Sequence, residues 1–198
     1  GLGCESKELP GFVVLASGGS PLGGINNYGN GYLPSVYHAS MLAPTQPEPL
    51  SNVVPRESER RQRLRLNFVE RLDRQHLKTL GRAEQVESAI RNYETAYRMQ
   101  SAVPELVDIG GETQATRALY GMDSPGNATR EYGRQCLLAR KFAEAGVRYI
   151  QVSTNYIWDH HTKVKAGLLQ ESAKVDRPIA GLLEDLSLIH ISAPTRPR

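Results

Sequence analysis

Asp159, His160 and His161 stand side by side in the segment TNYIWDHHTKV, residues 154 to 164. A carboxylate and an imidazole can hold a divalent cation or pass a proton. On an extended backbone successive side chains alternate, so Asp159 and His161 project to one side and His160 to the other. A carboxylate and an imidazole at i and i+2 can then grip one cation. Such oxygen and nitrogen donors suit zinc, manganese or iron better than calcium, which takes more oxygens. A complete site takes about four ligands, so this pair supplies about half of one. The plainer alternative is a polar surface loop that serves structure alone.

Either role needs rigid elements on both sides. VRYIQVS, residues 147 to 153, is rich in β-branched and aromatic residues and reads as a strand directly after a helix, which is α/β grammar. In such folds ligands gather at the carboxyl ends of strands, and the loop at 154 to 161 occupies that position. FVVLA, residues 12 to 16, is a short apolar run between Pro10–Gly11 and a glycine-rich stretch, the pattern of a central strand buried on both faces. Residues 17 to about 56 hold most of the Gly and Pro and predict a long excursion with little regular structure.

From Glu57 the period changes to that of a helix. Leu64, Phe68, Leu72 and Leu80, with Val69 beside them, mark one amphipathic helix; Val86, Ala89, Ile90, Tyr93 and Tyr97 mark a second after Gly81. Together they predict a helical hairpin. A short helix over 112–120 should stop at Gly121, and Asn127 can cap a helix over 128–145 that ends at Gly146. Pro178 suits the first turn of a final helix carrying Ile179, Leu182, Leu183 and Leu186. The sequence shows no internal repeat.

The other reactive residue types lack a supporting pattern. SGGSPLGG, residues 17 to 24, has no Lys followed by Ser or Thr, so it is loop geometry rather than a phosphate-binding loop. Ser17 and Ser20 lie in no nucleophile elbow, and His38 and His76 are isolated. Cys4 and Cys136 cannot form a disulfide framework; Cys136 reads as a small core hydrophobe. Asn127, Ala128 and Thr129 fit the glycosylation pattern without further support.

The chain has 198 residues, 39% of them hydrophobic, with 24 basic and 21 acidic residues. No stretch reaches the ~20 apolar residues of a membrane helix, so no membrane span is expected. The end, LSLIHISAPTRPR, abandons the amphipathic pattern and looks like a translated sequencing adaptor. Setting Arg196 and Arg198 aside leaves 22 basic against 21 acidic residues, a net of +1 rather than +3. Glu57, Glu59 and Glu70 interleave with the arginines at 56, 60, 61, 63 and 65, so a solvated face and no nucleic-acid partner are expected.

Six segments in order resemble a single family: LPGFVVLASGG (9–19), GYLPSVYHA (31–39), NYETAYRMQSAVPELVDIGGET (92–113), CLLARKFAEAGVRYIQV (136–152), WDHH (158–161) and VDRPIAGLLEDL (175–186). They are similar to the sulfatase-like domain-of-unknown-function family fifteen-oh-one, a bacterial family abundant in Planctomycetes. The resemblance implies an alkaline-phosphatase-like α/β/α sandwich with a mostly parallel sheet and the helical hairpin as an insertion. It implies an enzyme that hydrolyses phosphate or sulfate esters, with small-molecule or glycan esters as substrates. Asp159 and His161 match the family's Asp-x-His motif and by that match would be ligands of a divalent metal, zinc or manganese. A non-catalytic exported binding protein on the same scaffold is the alternative. Family members continue past the last helix into Glu-Phe-Gly-Arg-Thr and Gly-Arg-Asp-His segments that would complete the metal site, and begin upstream with an export signal. The expectation is therefore a partial domain over 1–187, inactive by itself, with a non-native tail over 188–198. His38 stands where the family more often has Gln.

Overall fold

The computed structural model describes residues 4, 6–16, 23–46, 49–50, 57–80, 84–154 and 158–192, without the side chains of 76–80, 84–86 and 188–192. Its strands are β1 (Phe12–Ala16), β2 (Ser40–Leu42) and β3 (Tyr149–Ser153). Its helices are α1 (Glu59–Leu80), α2 (Glu84–Val107), α3 (Gln114–Leu119), α4 (Asn127–Glu144) and α5 (Val164–Ser192), with single 3-10 turns at Gly24–Tyr28 and Ser35–Tyr37. The described residues thus form a mixed α/β fold: a three-stranded sheet of order β2-β1-β3 and five helices.

Both strand pairings are parallel, Val13 opposite Ser40 on one side and Ile150 on the other. FVVLA is apolar at every position because its strand lies in the middle. Val13 and Leu15 face the helical layer, while Val14 faces the opposite side and packs with Tyr28 and Ala39. Strand β3 is alternating instead. Ile150 and Val152 join the helical core, whereas Tyr149 packs its ring against Phe12 at 4.7 Å, and Gln151 donates to Ser153 Oγ at 3.2 Å.

The helical core centres on α4, which buries Cys136, Leu137, Leu138 and Phe142 against β1, β3 and α2. Removing each such large side chain from water contributes ~1.5–3 kcal/mol. On its other side α4 packs along α5. Two glycines allow close backbone contact: a Cβ on Gly133 would sit 2.1 Å from the Tyr120 carbonyl oxygen, and one on Gly181 2.7 Å from that of Leu119.

Four expectations are corrected. The excursion over 17–56 contains a strand, β2, three residues whose Leu42 is almost fully buried. Asn127 is the first residue of α4 rather than its cap; the cap position is Gly126, and the Asn127 side chain bonds Glu131 and Arg130. Pro178 does not open the last helix but lies inside α5. It removes one helical N–H, a cost of ~3 kcal/mol in an isolated helix, yet its ring is fully buried and the packing of α5 on α4 offsets the loss. Finally, α1 is amphipathic, but most of the residues that mark its period do not meet its hairpin partner. Leu66 and Val69 face α2, while Leu64, Phe68 and Leu72 are exposed.

Candidate functional site

Because all three strands are parallel, Ala16, Leu42 and Ser153 end at one edge of the sheet, and the loop after β3 rises from that edge. Residues 155–157 lie outside the described ones. Across that gap the Trp158 indole donates to Thr154 Oγ1 at 2.8 Å, tying the loop back to the strand end. The loop closes on α5 through Lys163, a non-glycine residue in the left-handed region at φ 51°, whose carbonyl accepts from Gly167 N–H at 3.0 Å.

Within this loop the alternation expected from the sequence holds. Asp159 and His161 turn to the same side, with His161 Nε2 3.1 Å from Asp159 Oδ2. His160 turns the other way and lays its imidazole on Gly167, so closely that a Cβ there would meet ring atoms at 2.6 Å. Its Nε2 is buried and has no hydrogen-bond partner among the described residues. A ring wedged between loop and helix prevents the loop from rolling, which fixes the direction of its two neighbours.

The pair is open to solvent, His161 being 86% and Asp159 48% exposed. A contact so exposed adds at most ~0–1 kcal/mol to the stability of the fold. The spacing fits shared coordination: two donors ~2.1 Å from one cation, at tetrahedral or octahedral angles, stand ~3.0–3.4 Å apart. A hydrogen bond has the same length, so the distance accommodates both states of the pair. Among the described residues no third His, Cys, Asp or Glu joins them into a metal-binding group.

The remaining candidates lie elsewhere. His38 ends the second 3-10 turn and lines a cavity of about 310 Å³ with Cys4, Lys7, Gly11 and Ser40, at the amino ends of β1 and β2 and so across the sheet from Asp159. Ser17, Ser20 and the glycines at 18 and 19 lie outside the described residues, as does the side chain of His76. Cys136 is a core residue, its thiol pushed up to about 12 by burial, and Cys4 Sγ donates to the Gly146 carbonyl at 3.0 Å. The arginines of α1 are solvated as expected, Arg63 pairing with Glu59 and Arg65 with Glu57.

A polar cluster that sequence reasoning missed lies between α3, α4 and α5. Arg140 of α4 pairs with Glu112 at 2.7 Å and with Asp185 of α5 at 3.2 Å; the Tyr120 hydroxyl donates to the same Asp185 oxygen at 2.8 Å. Arg140 Nε has no hydrogen bond among the described residues and lies 3.8 Å from Glu144, near enough for attraction only. Burial alone would lower the Arg140 pKa, but Glu144, Glu112, Tyr120 and Asp185 outweigh it and raise it above its ordinary value. Burial and the bond to Asp185 raise the Tyr120 hydroxyl far above its usual range. These groups hold the helices in register. Bonded partners here stand up to 65 residues apart in the chain, which leaves no local motif to read.

A family profile described as Protein of unknown function (DUF1501) matches residues 1–188. The chain belongs to this family. DUF1501 membership agrees with the family resemblance of the six segments, and the match takes in every element from β1 to most of α5. No curated protein and no solved structure matches the chain.

Proposed function

We propose that this DUF1501 chain carries part of the metal centre of a hydrolase acting on phosphate or sulfate esters of small molecules or glycans, on an alkaline-phosphatase-like α/β/α scaffold. The observation that carries the reading is the convergence of Asp159 Oδ2 and His161 Nε2 at the carboxyl edge of a parallel sheet. A divalent cation, zinc or manganese by the donor set, would polarise an ester oxygen and make a bound water acidic. Asp159 brings a full negative charge to that position. His161 must present Nε2 as a lone pair, which requires the neutral ring with its proton on Nδ1. His160, seated on Gly167, and Trp158, bonded to Thr154, keep the two donors aligned. With two donors from this loop, further ligands come from water or from residues beyond those described.

Titration calorimetry of the chain with zinc and with manganese tests the site. Binding should be present and should vanish when Asp159 and His161 are both replaced by Ala; equal affinity in that double variant would remove the assignment. A second reading, a non-catalytic exported binding protein, draws support from the exposure of the pair. Metal-dependent turnover of aryl phosphates or sulfates by a full-length family member would exclude it.

A further inference from the structure

The outer face of α1 combines features that the ester-hydrolase reading leaves unused. Leu64, Phe68 and Leu72 recur every fourth residue and are 61%, 61% and 49% exposed. At ~100° per residue they lie opposite the side that meets α2 through Leu66 and Val69, so the stripe points away from α2. The charges of α1 are divided in the same way. Glu59, Glu70 and Asp73 fall on the α2 side, where Glu59 pairs with Arg63, Glu70 with Arg74, and Asp73 lines the groove between the helices. Arg60, Arg61, Arg65 and Arg71 flank the apolar stripe, with no acid of the helix among them. Of these only Arg65 has an ion pair with a described residue, to Glu57.

We propose that this face of α1 docks on an anionic lipid bilayer, lying in the plane of the interface with Leu64, Phe68 and Leu72 inserted and the arginines at the headgroups. An apolar stripe flanked by cations, on an otherwise polar helix, has the charge and shape complementary to such a surface. Phosphates of a nucleic acid would engage the arginines but leave the stripe wet. A second copy meeting it α1 against α1 would set arginine against arginine. Because the stripe faces away from α2, a flat surface can approach it without displacing that helix.

Flotation of the full chain with phosphatidylcholine vesicles, with and without phosphatidylglycerol, tests the proposal. The chain should float with the anionic vesicles only, and less as salt rises. Phe68→Ser should lower partitioning about tenfold or more, and Arg60→Gln, Arg61→Gln or Arg71→Gln about fivefold each. These side chains are exposed, so the far-UV spectrum of each variant should match that of the parent. As a reading that needs no loss of binding, the emission of Phe68→Trp should shift to the blue on anionic vesicles and stay fixed on neutral ones. Failure to float, equal binding to neutral vesicles, or a Phe68→Trp emission unchanged by lipid would overturn the proposal. So would binding to nucleic acid or to an acidic protein that needs the arginines but is indifferent to Phe68→Ser.

Discussion

Gly133→Ala is the sharpest probe of how α4 is seated. A Cβ at this position would stand 2.1 Å from the Tyr120 carbonyl oxygen, 3.2 Å from its carbon and 3.3 Å from Met122 Cγ. The nearest of these is backbone, which cannot swing aside as a side chain does. Ordinary contact requires a retreat of roughly 1 Å, and the same helix buries Leu137, Leu138 and Phe142 completely, so the retreat opens packed layers. Overpacking of this kind costs ~3 kcal/mol or more, against which the better helix propensity of Ala returns ~1 kcal/mol. The net expectation is a loss of at least ~2 kcal/mol, seen in urea titration, and a midpoint lower by ~4–8 °C for a chain of this size. Gly111 is the control, because a Cβ there meets nothing within 4 Å and its φ is not in the left-handed region. Gly111→Ala should stabilise by ~0.5 kcal/mol through the unfolded chain. If Gly133→Ala lost less than ~1 kcal/mol, the close approach of α4 to Tyr120 would be wrong.

Gly167→Ala should unseat the His160 ring and weaken zinc or manganese binding about tenfold by calorimetry, while changing the urea midpoint little; unchanged affinity would detach His160 from the site. Asp185→Ala should cost ~2 kcal/mol in urea titration, since it leaves the half-buried Arg140 and the Tyr120 hydroxyl short of a partner. Native Cys136 should resist iodoacetamide at pH 8 and react once the chain is unfolded. The same burial raises the folded thiol pKa from 9.0 to about 12. Its stabilising effect is therefore complete below pH ~9 and declines by up to ~4 kcal/mol as pH rises toward 12, which Cys136→Ala should abolish in a pH series of unfolding curves.

How much of this was legible in the sequence depended on whether the signal was local. FVVLA announces a strand covered on both faces because side chains that alternate between the two faces are all apolar. Alternation alone places Asp159 and His161 together and His160 apart. The seat of His160 on Gly167 involves a packing distance that no spacing encodes. Three residues are too few for β2 to show a period amid Gly and Pro, and its evidence is the burial of Leu42. Pro178 reads as a helix start because proline is most at ease there, and tertiary burial overrides that preference. In α1 the period identifies an amphipathic helix but cannot say on which side the body lies; the stripe of Leu64, Phe68 and Leu72 faces out. The Arg140 cluster draws on α4, α5 and the residues on either side of α3, and has no linear trace at all.

Among the described residues β3 has a partner strand on one flank only, and the exposed Tyr149 stands on it. Such a border is a template for one more strand. A strand added there would run alongside the end of β3 and form a wall next to Asp159 and His161, narrowing the approach to them from an open shelf to a slot. Access to the pair would then depend on that strand as well as on the pair's own chemistry.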